Sequence, residues 1–181
     1  MVQVEDIRGL REAAPDYQET EAIKQHLRKL RQERKPFYLT AADLERIFRW
    51  KLRGQFGRGQ DQRDRNSDSA YRAVTQAAFA IREPDLSYEA EVRLKVLCSL
   101  RGVGVPVASA ILALAEPDRY CVIDFRGWRA VFGEKRNDFD VGRYLRYRTA
   151  VASLAAELGW PVQETDLAVW TFDERSGGRA A

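Results

Sequence analysis

Two helical patterns meet at a glycine turn in Leu97-Cys98-Ser99-Leu100-Arg101-Gly102-Val103-Gly104-Val105-Pro106-Val107-Ala108-Ser109-Ala110-Ile111-Leu112, and no other stretch limits the fold as tightly. Gly102 and Gly104 permit positive φ and let the backbone approach another surface closely. Val103 can plug the gap between the two helices. Pro106 suits the first turn of the second helix, where its missing N–H removes no hydrogen bond. Ala108, Ser109 and Ala110 are small, so the helices can pack tightly. Amides of the turn and of the second helix's first residues would point outward and, with the helix dipole, make a site for a phosphate oxygen. Such a site grips a nucleic-acid backbone without reading its sequence. An ordinary helix–helix turn is the competing explanation.

Apolar residues recur at helical spacing on both sides of this turn and no strand pair is evident, which predicts an all-α chain. Residues 18–34 read as a polar helix with a thin apolar stripe at Ile23, Leu27 and Leu30, stopped by Pro36. Thr40 then caps a helix, with Asp43 in the place of the usual Glu or Gln, and Leu44, Ile47 and Phe48 lead into Trp50, Lys51 and Leu52. Residues 53–69 read as a loop. Further helices are expected over 69–82, from Ser87 to Leu100, over 105–115, over 124–132, within 138–158, and from a Thr165 cap through Phe172. Tyr144 and Tyr147 fit the core. The expected organisation is an N-terminal helical extension over 1–36, a domain over 37–175 with its hairpin at 92–116, and a disordered tail over 176–181. A chain of 181 residues suits one domain, or two small lobes with a cleft between them.

Composition mainly excludes. The cations are 24 Arg against 6 Lys, and the guanidinium fork suits phosphate, although a GC-rich coding sequence gives the same bias. Net charge is only +3. Cys98, Cys121 and the single His26 cannot build a four-cysteine iron–sulfur or zinc site, so no metal and no cofactor are expected. A Ser-His-Asp triad would have to use His26, which lies among Lys24, Arg28 and Lys29 and reads as a solvated surface residue. No apolar run approaches the roughly 18 residues of a membrane span, and the N-terminus has no signal-peptide pattern. The expected setting is the cytoplasm, without membrane contact.

Residues 97–129, and LRGVGVPVASAILALAEPDRYCVID within them, resemble the helix-hairpin-helix DNA glycosylases, the superfamily of endonuclease III, adenine-specific mismatch glycosylase and 8-oxoguanine glycosylase. That family shows Leu-Pro-Gly-Val-Gly, a helix of small residues, a short spacer, an apolar pair and an aspartate. Gly102 and Gly104 match the hairpin glycines, Val122-Ile123 the apolar pair and Asp124 the catalytic aspartate. TDLAVW at 165–170 looks like the family's closing helix. The likeness extends more loosely over 40–173 and does not reach 1–36. Pro106 stands where bifunctional members carry the Schiff-base lysine, which rules out lyase chemistry from that position, and Arg101 replaces the leading proline.

The resemblance implies a helix-hairpin-helix glycosylase-like bundle and a monofunctional DNA N-glycosylase of base-excision repair. It would be a monomer on the nucleoid, acting on duplex DNA with an extrahelical base. Asp124 would stabilise the charge that develops on the sugar and orient or deprotonate the attacking water, once the base has left the stack. Asp124 also begins the helix FRGWRAVF, so a capping role competes, and both roles can coexist. Arg101, Gly102, Val103, Gly104 and Val105 would hold the DNA backbone, with Arg126 and Arg129 beyond Asp124. In the family the helix ending at Trp50-Lys51 faces the aspartate. Trp50 is therefore a candidate stacking platform, and Lys51 a candidate base contact or relocated amine. A core tryptophan beside a solvated lysine competes. Arg53, Arg58, Arg63 and Arg65 are either opposite-strand phosphate contacts or a solvated loop. Two other functions stay open: a non-catalytic helix-hairpin-helix DNA-binding protein, and an N-glycosidic hydrolase acting on RNA or a modified nucleotide.

Overall fold

A computed structural model describes residues 1–177. Within them lie ten α-helices and no β-strand: α1 (Val4–Ile7), α2 (Tyr17–Glu33), α3 (Ala41–Leu52), α4 (Gln60–Arg63), α5 (Asp68–Ala80), α6 (Leu86–Leu97), α7 (Val105–Ala115), α8 (Phe125–Phe132), α9 (Val141–Leu158) and α10 (Val162–Arg175). Helix α7 is the axis. Every residue from Val107 to Leu114 is buried, in a helix whose only polar side chain over that stretch is Ser109. Around it pack α2, α3, α6 and α10, while α5 lies on α6 and α8 and α9 lie on α10. The first 36 residues join the same core: Ile7, Ile23, Leu27 and Leu30 share a buried cluster with Val103 and Ile111. No helix among the described residues is long and apolar enough to cross a membrane.

Local chemistry sets most boundaries. Thr40 caps α3 with Asp43 completing a reciprocal box, as its sequence predicts. Burial opposes the charge on Asp43, but hydrogen bonds from Arg34, Thr40 and His26 prevail and hold its carboxyl down to about 2. His26 is accordingly no solvated surface histidine: it is half-buried with Nε2 3.2 Å from Asp43 Oδ1. Helix α6 is capped by Asp85 rather than Ser87 and ends at Leu97, three residues short of the expected Leu100. The expected 53–69 loop contains α4 and already begins α5, because Ser67 accepts from the Ala70 amide. Thr165 is not a cap. Helix α10 starts a turn earlier, and the Thr165 hydroxyl donates to the Pro161 carbonyl inside its first turn. Residues 178–181 of the expected tail lie outside the described residues.

Tyr144 and Tyr147 are fully buried, as expected. Tyr147 lies directly beneath α8, where a Cβ at Gly127 would overlap its hydroxyl and come within 2.9 Å of Cζ. A ring with no solvent exposure cannot step aside. Gly127→Ala is therefore expected to destabilise the protein by about 1–3 kcal/mol through overpacking, read as a lower Tm in thermal unfolding. An unchanged Tm would show that α8 can shift freely.

Candidate functional site

Between α7 and α8 the chain runs through Tyr120–Asp124 without helix or strand, and Asp124 at its end has extended backbone. Buried backbone groups need partners, and here side chains from four helices supply them. Ser109 of α7 accepts from the Ile123 amide at 3.1 Å, and Asp166 of α10 accepts from the Val122 amide at 2.8 Å. Tyr144 of α9 donates to the Cys121 carbonyl at 3.4 Å, and Lys51 of α3 donates to the Ile123 carbonyl at 3.3 Å. Asp124 ends this segment. Its Oδ1 accepts from the Arg126 and Gly127 amides, each at 3.0 Å, so Asp124 is the N-cap of α8. Its Oδ2 lies 3.5 Å from Lys51 Nζ.

That pair forms part of the wall of a cleft of about 330 Å³, within the usual range for small-ligand sites. Asp124 keeps 23% of its side chain exposed and Lys51 only 9%, so Lys51 is not solvated. Trp50 is 7% exposed and donates Nε1 to Thr20 Oγ1, which makes it chiefly a core residue with an edge on the cleft. Two other aromatics also line it. Phe125 is 44% exposed, unusual for so large an apolar side chain, and Trp170 carries the Arg126 guanidinium 5.2 Å from its ring centre.

At the hairpin the two glycines differ. Gly102 has φ +72°, and a Cβ there would meet Arg63 Cγ at 2.7 Å and the Gly59 carbonyl at 3.1 Å, so packing against α4 alone demands glycine. Gly104 is extended, and a Cβ there would touch nothing nearer than Pro106 Cδ at 3.9 Å. Val103 is buried between the helices. Among the described residues, the amides of Gly102, Gly104 and Val105 make no hydrogen bond within the chain. Arg101 is exposed, with its backbone clamped by Asn66 on both sides.

No protein-family model, curated protein or solved structure matches the chain.

Tertiary structure thus brings Asp124, Lys51 and Trp50 to one cleft and leaves the hairpin amides open. The arginines sort differently. Arg129 forms two hydrogen bonds with Asp173, at 2.8 and 2.7 Å, tying α8 to α10, whereas Arg126 reaches the same carboxylate only at 3.4 Å. Arg63 is buried and donates to the Arg58 and Phe56 carbonyls, so it cannot be an opposite-strand phosphate contact. Arg53 pairs with Asp16 at 2.5 Å. Sequence reasoning missed several cleft residues, among them Asp16, Phe125, Gln163, Asp166 and Trp170. Three had a signal: Gln163, Asp166 and Trp170 follow the i, i+3, i+7 spacing of one helix face. Asp16 lies in the segment that the family likeness does not cover, and no local pattern marks it.

Asp166 is the most unusual ionisable group here. Burial drives its carboxyl up to about 7, against hydrogen bonds from the Tyr147 hydroxyl (2.5 Å) and the Val122 amide, with the Asp124 charge adding to the rise. The folded state therefore holds a proton that the unfolded chain releases near 3.8. Its stabilising effect is complete below that value and fades as pH rises to about 7. Asp166→Asn is expected to flatten the fall of Tm over this interval. A slope equal to that of the parent protein would mean that another group carries it.

Proposed function

We propose that this protein is a monofunctional N-glycosylase of the helix-hairpin-helix type, acting on a damaged or modified base extruded from duplex DNA. The observation that carries this reading is the Asp124–Lys51 pair, 3.5 Å apart on the wall of a cleft sized for a small ligand and lined by Trp50, Phe125 and Trp170. As the C1′–N bond breaks, its electron pair leaves with the base and positive charge gathers on the sugar. The Asp124 carboxylate, held in one rotamer by two amides, stabilises that charge. Water then bonds to C1′ and passes its proton to Asp124. Lys51, 3.5 Å from that carboxylate, would contact the base; as a relocated amine it would replace water as the nucleophile and make the enzyme bifunctional. The free amides at Gly104 and Val105 would hold a phosphate of the same strand.

One observation favours a second reading, a binding protein without chemistry. Both Asp124 oxygens are already engaged, one by the α8 amides and the other by Lys51. On that reading the pair is a structural link between α3 and α8.

A panel of duplexes, each carrying one altered base, separates the two when scored for free base by mass spectrometry and for alkali-labile strands. The parent protein is expected to release at least one base, and Asp124→Asn to lose roughly 100-fold or more of that rate while keeping salt-sensitive duplex binding. Release that survives in Asp124→Asn overturns the catalytic assignment, and no release from any duplex leaves the binding reading. Borohydride trapping on abasic DNA that disappears in Lys51→Ala would assign the amine role.

Gly104→Ala tests the grip separately. With space for a methyl group and an extended backbone, it should fold with unchanged Tm yet bind duplex more weakly. Undiminished affinity would remove the hairpin from the interface. Gly102→Ala cannot serve, because its clash with Arg63 would disturb the fold itself.

A further inference from the structure

At the far end of α7 from the hairpin lies a second cleft, of about 380 Å³. Its chemistry is dominated by guanidinium groups. Glu116, the C-cap of α7, is contacted by four of them: Arg93 at 2.9 Å, Arg82 at 3.0 Å, Arg31 at 3.1 Å and Arg119 at 3.6 Å. Behind it, buried Glu89 takes Arg119 at 3.0 Å and Arg93 at 3.3 Å. Arg28 completes the set, exposed on the α2 face that also carries Arg31 and without an ion pair among the described residues. Asp118 is the remaining carboxylate at the cleft. Lys24 is balanced separately by Glu21 and Glu164.

Five guanidinium groups thus face three carboxylates. The negative end of α7 offsets only about half a charge, so the arginine cluster itself keeps an excess of positive charge at a partly enclosed site. Arg31 is partly desolvated at this site: burial lowers its pKa, with the like charge of Arg82 adding a smaller push against the pull of Glu116. The floor is apolar: Leu114, Ala115 and Pro117.

We propose that this cleft is a binding site for a small phosphate-bearing anion, gripped by Arg28 and Arg82 at the mouth with Arg31 and Arg119 behind them. Guanidinium forks match phosphate oxygens two at a time, and the apolar floor accommodates a ring beside the phosphates. The site is distinct from the Asp124 cleft and does not depend on the glycosylase reading. The eleven residues of α7, at ~1.5 Å each, set it ~16 Å along the helix from the hairpin turn. The phosphate can come from free pyrophosphate or from a nucleotide.

Titration calorimetry at low ionic strength with inorganic pyrophosphate and with a nucleoside triphosphate tests this directly. Saturable binding of one equivalent is expected, weakened about tenfold or more in the double variant Arg28→Gln, Arg82→Gln and unchanged in Arg49→Gln, which removes an exposed cation elsewhere. Both altered arginines are exposed, and circular dichroism should show the variant folded like the parent. Tighter pyrophosphate binding identifies the free anion as the ligand, and tighter nucleotide binding identifies the nucleotide. Absence of saturable binding for both, or equal affinity in parent and double variant, would each overturn the proposal.

Discussion

The irregular passage Tyr120–Asp124 holds the molecule together. It crosses the core with no neighbouring strand, and a buried amide or carbonyl without a partner would carry the full penalty of desolvation. Ser109, Asp166, Tyr144 and Lys51 meet that requirement from α7, α10, α9 and α3. Each bond pins a different helix to the same short stretch of backbone. The arrangement of helices and the placement of Asp124 are consequently one problem with one solution. The Asp124 side chain cannot swing away without disturbing the cap of α8.

The same network explains the polar character of the cleft. Asp166 satisfies the Val122 amide and is backed by the Tyr147 hydroxyl, a ring that itself lies against Gly127. One buried chain of contacts therefore runs from α10 through α9 to the first turn of α8. Lys51 and Asp124 sit at its solvent end. Trp50, from the same helix as Lys51, anchors that helix on Thr20 of α2, so residues far from the hairpin also hold the cleft wall in place.

The arginine bias carries two meanings that composition cannot separate. Arg63, Arg93 and Arg148 are buried, and Arg129 is bound to Asp173, so a good share of the guanidinium groups serve as internal fasteners. Arg101 at the hairpin and Arg28 beside Glu116 are exposed. Tertiary position, rather than number, decides which arginines can meet a phosphate.

How much was legible in the sequence follows from the range of the interactions involved. Local chemistry writes itself into neighbouring residues. The Thr40–Asp43 box, the Gly102–Gly104 turn, the helix over 105–115 and the capping aspartate at 124 were all readable, because each depends on contacts within about one helical turn. The pairing of Lys51 with Asp124 was reachable only through a family likeness, since 73 residues separate them. Local pattern misassigned Thr165, Ser87 and the 53–69 stretch, where neighbouring caps compete on nearly equal terms. It also took His26 for a solvated residue, because Asp43 lies 17 positions away. The sequence alone determined that the chain is helical and where its glycine turn falls. Only the tertiary structure decided that Asp16, Gln163, Asp166 and Trp170 share a cleft with Asp124, because burial and long-range hydrogen bonding leave no trace in local spacing.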